Sequence, residues 1–242
     1  MLFFVRFLLM VLWSGLIFLF GTLLSLVRWG DLNLNRDIGK MLSIPILRAL
    51  GIRIEVTGMD RMPEGPKIFV ANHQSGFELI VFGFFCPDRT VFIGKKEIIW
   101  IPLFGLYFLA AGNIVIDRSR RNKAVATLSR AAAVIRRKQA SVMVFPEGTR
   151  NRGEEPLLPF KRGPLYLALE AQVPIVPLVV SPIKNVFSWK QRILQSGVIQ
   201  IQVLPPVSTE GTKKEDATRL ATEVREAMLS VMTRAPMQTD AR

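Results

Sequence analysis

The sequence predicts an α/β domain, a mixed sheet covered by helices, with an N-terminal membrane-embedded helix or helical hairpin. Three observations lead there. From residue 51 onward short apolar runs alternate with helical patterns, the texture of a sheet covered on its faces. Ahead of them Phe7 to Val27 is an uncharged run of 21 residues between Arg6 and Arg28. Half of the 242 residues are hydrophobic and mean hydropathy is +0.30, more apolar surface than one soluble core absorbs.

The elements follow in order. As a helix at about 1.5 Å per residue, the N-terminal run matches the roughly 30 Å of a hydrocarbon core. Arg28, Trp29 and Gly30 follow it where a cleavable signal would carry small residues, so it reads as a retained anchor. Whether it crosses or forms a shallow hairpin with the next segment stays open, because Arg36, Lys40, Arg48 and Arg53 mark only the downstream side as cytoplasmic. Ile38, Met41, Leu42 and Leu50 predict a second, amphipathic helix broken near Pro45. Strands are expected at Ile52 to Val56, Ile68 to Ala71, Val91 to Gly94, Asn113 to Ile116, Val142 to Phe145, Ile175 to Val180 and Val198 to Val203. Helices are expected near 76–85, 119–138, 162–172 and 213–233.

Charge narrows the partners. There are 32 Lys and Arg against 19 Asp and Glu, a net charge of +13. Residues 118–138 carry eight of the bases and no acid. Lys123, Arg130 and Arg137 recur opposite the stripe of Val125, Leu128, Ala132 and Ile135. They form either a solvated outer face or a surface for anionic membrane lipids. No aromatics interleave with these bases, so no nucleic acid is expected as a partner. A single Cys, Cys86, excludes an internal disulfide. With a single His, His73, no metal is expected. Imidazole chemistry occurs at His73 or nowhere.

Four segments carry the chemistry. Asn72-His73-Gln74-Ser75-Gly76-Phe77-Glu78 leaves a strand and enters a helix, the place where α/β sheets gather ligands. Ser75 and Glu78 spell a capping box. Alternatively Glu78 takes the second nitrogen of His73 and orients it as a general base. Phe145-Pro146-Glu147-Gly148-Thr149-Arg150 holds turn residues plus a Glu and an Arg that no turn requires; such an Arg grips phosphate in two-pronged fashion. Gly112-Asn113-Ile114-Val115-Ile116-Asp117-Arg118 puts another Arg at a strand end, and Val173-Pro174-Ile175-Val176-Pro177-Leu178 reads as core or pocket wall.

In this order the four segments resemble the lysophospholipid and glycerolipid acyltransferase superfamily, particularly 1-acyl-sn-glycerol-3-phosphate acyltransferases of the PlsC type, over roughly residues 50–205. Gly94-Lys95-Lys96-Glu97 through Ile101-Pro102-Leu103-Phe104-Gly105 is similar to that family's linking loop. The family's first motif is usually N-H-x4-D, and here the acid is Glu78.

The resemblance implies His73 as catalytic base with Glu78. It further implies Glu147, Gly148 and Thr149 around the acceptor, Lys95, Arg118 and Arg150 on its phosphate, and Val173, Pro174, Ile175 and Pro177 near the acyl donor. It implies residues 1–50 as membrane-anchoring helices and 51–242 as the acyltransferase domain, on the cytoplasmic face of the cell (inner) membrane. The donor would be acyl-CoA or acyl carrier protein, the acceptor lysophosphatidic acid, and the product phosphatidic acid, with no cofactor. A different lysolipid acceptor, such as a lyso-ornithine lipid, is the alternative, and a non-catalytic basic membrane adaptor lies further off.

Overall fold

The structure, a computed structural model, describes residues 1–117, 121–153 and 155–234. Helix α1 (Leu2–Val27) is apolar all round, so its sequence marks no preferred face. Packing selects one: Phe3, Ile17, Phe18, Gly21 and Ser25 are buried, while Leu8, Leu12, Leu16, Leu19 and Leu23 stay exposed. Neither flanking arginine is free. Arg6 donates to the Leu194 carbonyl (2.8 Å), and Arg28 pairs with Asp37 (2.8 Å) and Asp31.

Helix α2 (Leu34–Leu50) corrects one expectation, because it runs through Pro45 unbroken and stops at Gly51 in the left-handed region (φ 67°). Proline costs a helix one backbone hydrogen bond and some strain. Burial of Leu34, Ile38, Leu42, Ile46 and Leu47 offsets it. Helix α3 (Glu78–Phe85) lies directly on α2. A Cβ at Gly39 would stand 2.7 Å from the Gly83 carbonyl oxygen, so the crossing exists only because both positions are glycine.

The strands are β1 (Ile52–Thr57), β2 (Ile68–Ala71), β3 (Thr90–Lys95), β4 (Ile114–Ile116), β5 (Ser141–Val144), β6 (Ile175–Val180) and β9 (Gly197–Val203). Each lies within a residue of its expected ends. They form one mixed sheet in the order β1-β9-β6-β2-β5-β3-β4, parallel throughout except where β6 meets β9. Strand β2 sits at the centre with all four residues fully buried and alternates between two cores. Phe69 and Ala71 face α1, α2 and α3, whereas Ile68 and Val70 face α5 (Arg121–Lys138), α6 (Gly163–Ala171) and α7 (Ala217–Arg234).

Two elements were not legible in advance. Helix α4 (Phe104–Ala110) packs on α1 within the linking loop, and β7 (Phe187–Ser188) pairs with β8 (Ile193–Leu194) in a short hairpin. Seven residues of helix are too few to show a periodicity, and two-residue strands show none.

Candidate active site

Strands β6, β2, β5, β3 and β4 run parallel, so their carboxyl ends open on one edge of the sheet. That edge collects the motifs. His73 leaves β2, the Glu147 to Arg150 turn leaves β5, and Lys95 ends β3. Arg118, expected beyond β4, lies outside the described residues.

His73 is held from four sides. Its backbone N–H donates to Glu147 Oε1 (2.6 Å), and its carbonyl accepts the Asn151 N–H (2.6 Å). Its ring stacks on Phe145 with centroids 4.2 Å apart and planes 16° from parallel. Nδ1 lies 2.7 Å from Glu78 Oε2. A carboxylate there accepts the Nδ1 hydrogen, which leaves the lone pair on Nε2.

Glu78 is the partner of His73, and of the capping box only its reach back to the Ser75 N–H forms. Its side chain is 1 % exposed and accepts the N–H groups of Gln74 (2.6 Å) and Ser75 (3.0 Å) besides holding the imidazole. The helix begins at Glu78 and not at Ser75, because Ser75 Oγ turns inward to accept the Phe77 N–H (3.1 Å) and closes a local turn first. An Asp, one methylene shorter, would have to reach the same three donors from further away.

Glu147 is also buried, and both its oxygens are taken by backbone N–H groups, those of His73 and of Leu158 (3.0 Å). Burial pushes its carboxyl above the usual carboxylate range, and the two donors pull it back. Gly148 follows at φ 74°, a turn backbone that glycine adopts without strain. Two further positioning residues were quoted in the motif without a role. Asn72 exchanges hydrogen bonds with Val180 (3.0 and 2.8 Å), and Gln74 donates to the Val180 (3.1 Å) and Ser181 carbonyls (3.3 Å). The end of β6 thus braces the loop that carries His73.

His73, Glu78, Lys95, Gly148, Thr149 and Arg150 all line one cavity of about 920 Å³. Arg152, unremarked in the sequence, lines it too, and the Arg150 guanidinium lies against Gly76, within 3.8 Å of where a Cβ would sit. Most of the remaining lining is apolar, much of it from four helices, Phe18 of α1, Leu42 of α2, Phe82 of α3, and Phe104 and Tyr107 of α4, with Asn35, Glu97 and Asn113 as polar members. The volume is that of a large ligand site. Val173, Pro174, Ile175 and Pro177 do not line it. Ile175 pairs with Ile68 and Pro177 with Val70, so these residues sit at the opening and middle of β6, away from its catalytic edge.

A histidine bonded to a buried carboxylate thus lines a mostly apolar cavity that Lys95, Arg150 and Arg152 also line. The sequence pattern of the acyltransferase family matches residues 53–181. The chain is 42 % identical over 198 residues to 1-acyl-sn-glycerol-3-phosphate acyltransferase alpha of Bos taurus, covering 81 % of this chain and 69 % of that one. It is 32 % identical over 229 residues to the 1-acyl-sn-glycerol-3-phosphate acyltransferase of Escherichia coli, covering 94 % and 92 %. The crystal structure of the 1-acyl-sn-glycerophosphate acyltransferase PlsC of Thermotoga maritima superposes with a TM-score of 0.68 over 96 % of this chain and 99 % of that one, at 22 % identity. This chain belongs to the acyltransferase family.

Proposed function

We propose that the protein is a 1-acyl-sn-glycerol-3-phosphate O-acyltransferase, which moves a fatty acyl group from a thioester donor to the free hydroxyl of lysophosphatidic acid and yields phosphatidic acid. The observation that carries the reading is the Glu78-bound His73 at the wall of a mostly apolar cavity that Lys95, Arg150 and Arg152 also line. The relatives' shared name for their reaction supports it.

In the reaction, Nε2 of His73 takes the acceptor's hydroxyl proton as that oxygen attacks the thioester carbonyl carbon. The carbon–sulfur bond then breaks, and the imidazolium returns the proton to the leaving thiolate. Glu78 supports the imidazolium charge. Lys95 and Arg150, with Arg118 beyond the described residues, hold the acceptor's phosphate. Glu147 acts as a positioning residue through the His73 backbone, and the helix-lined walls take hydrocarbon. The donor is acyl-CoA or acyl carrier protein; both present the same thioester to His73.

Helix α1 lies in the cytoplasmic leaflet of the cell (inner) membrane and does not cross it. Its buried stripe is bound to the protein toward both ends, through Arg6 and Phe3 and through Phe18 and Gly21, and the larger remainder of its surface is left for lipid. Residues 1–50 are therefore the anchor and one wall of the same enzyme.

Purified protein given acyl-CoA or acyl carrier protein and a panel of lysolipids tests the reaction. Phosphatidic acid should form from lysophosphatidic acid, and acceptors lacking a phosphomonoester should react far more slowly. Equal turnover of a lyso-ornithine lipid would transfer the assignment to that acceptor.

A further inference from the structure

We infer that the β7–β8 hairpin is a second membrane contact, whose tip, Trp189 to Arg192, binds an anionic lipid surface beside α1. The inference rests on the reading of α1 as a helix lying in one leaflet.

The hairpin is joined to the first turns of α1. Trp189 packs edge-on against Phe3 (5.5 Å) and Phe7 (4.9 Å), and Phe187 stacks on Phe7 (6.4 Å). The Arg192 guanidinium stands 5.4 Å over the ring of Phe4, which is on the outward, half-exposed side of the helix. Trp189 is nonetheless 58 % exposed. An indole held by its inner edge and open on the other is costly in water and suited to the boundary between head groups and hydrocarbon.

Charge identifies the surface. No Asp or Glu occurs between Glu170 and Glu210, while Lys184, Lys190 and Arg192 all fall there. Lys190 and Arg192 flank the tip and are exposed. Aromatic and basic groups that continue the apolar face of α1 complement an anionic bilayer, with indole at the boundary and ammonium and guanidinium among the phosphates. The base of the hairpin, not its tip, reaches toward the chemistry. Phe187 stacks on Phe77 (5.4 Å), the residue before Glu78, and the Ile183 N–H reaches Gln74 Oε1 (3.4 Å). Trp189 at the tip is thereby joined to the catalytic turn through Phe7, Phe187 and Phe77.

Co-sedimentation of the full chain with vesicles tests this, using phosphatidylcholine alone or mixed with phosphatidylglycerol. The double variant Lys190→Glu, Arg192→Glu should lose more than tenfold in partition to the anionic vesicles, since each neutralised base is worth about fivefold and reversal adds repulsion. Partition to neutral vesicles should not change, and high salt should remove the wild-type advantage. Trp189→Ser should lose severalfold on both vesicle types. An unchanged melting temperature and unchanged turnover of detergent-dispersed acceptor show that each variant is folded. Wild-type partition by the double variant on anionic vesicles would overturn the inference and leave the hairpin to a protein partner. Failure of the α1 reading looks different: an impermeant amine reagent enclosed in the vesicle lumen would label Met1, which a helix lying in the outer leaflet keeps from the lumen.

Discussion

The two faces of the sheet are built from the same strands and reach opposite ends. The face covered by α5, α6 and α7 is solid: Leu165, Leu167, Ala168, Val224 and Met228 are fully buried or nearly so, and Arg130 and Arg137 point outward into solvent. The face covered by α1 to α4 is hollow, with the 920 Å³ cavity among its helices and leucines on its outside. Close packing is what interiors ordinarily reach. A layer that forgoes it loses dispersion contacts and gains room for a ligand. Both layers have a large buried core, but the cavity lies in only one of them, and β2 supplies alternate residues to both.

The sharpest test of that division is removal of the base. His73→Ala should lower kcat by about 10²- to 10⁴-fold with little change in melting temperature, measured as phosphatidic acid formed per folded molecule. Activity within a few-fold of wild type would end the mechanism. Glu78→Gln should lose both ways, because one carboxylate accepts from the imidazole and from the Gln74 and Ser75 N–H groups. The fall in kcat should be on the order of 10²-fold or more, and the Gln amide turned toward backbone N–H groups should cost about 1–3 kcal/mol of stability.

On the solid face the opposite pattern is expected. Leu165→Ala, at a fully buried position of α6, should cost about 2–5 kcal/mol in denaturant unfolding and leave kcat per folded molecule unaltered. A large catalytic loss there would show that the two layers are coupled.

Arg150→Ala should raise the acceptor KM by roughly 10- to 100-fold, the worth of a charge-assisted hydrogen bond, with a smaller change in kcat because phosphate is held in ground and transition states alike. Arg150→Lys should recover only part, lacking the fork. An effect confined to the acyl donor's KM would move Arg150 off the acceptor.

The smallest effect is expected at Cys86. Burial pushes its thiol up to about 12, so thiol reagents should react only after unfolding, and Cys86→Ala should leave turnover near wild type. Rapid labelling of the folded enzyme would show that the end of α3 opens readily.

Period and punctuation made much of this readable in advance. The strand runs at 68–71 and 175–180 are rich in strand-forming residues and follow closely on Pro66 and Pro174, and they fell where expected. His73 stood out because it is the only imidazole. Pro45 misled, since a local cost is visible in sequence and the burial that outweighs it is not. The expectation for Val173 to Pro177 came from motif membership, which says nothing about which end of a strand a residue occupies; parallel pairing with β2 decided that.

By itself the sequence determined what local chemistry determines: alternation of strands and helices, an apolar first helix, a lone base and the carboxylate spaced to meet it. Tertiary structure alone decided which stripe of α1 is inside, because a helix apolar all round presents equivalent faces until a partner chooses one. It decided the double duty of Glu78, the support of His73 by Glu147, Asn72 and Gln74, and the hollow among four helices. Each of these joins residues distant in the chain or packed from separate elements. No window of sequence encloses them, and only the folded sheet brings them within hydrogen-bonding distance.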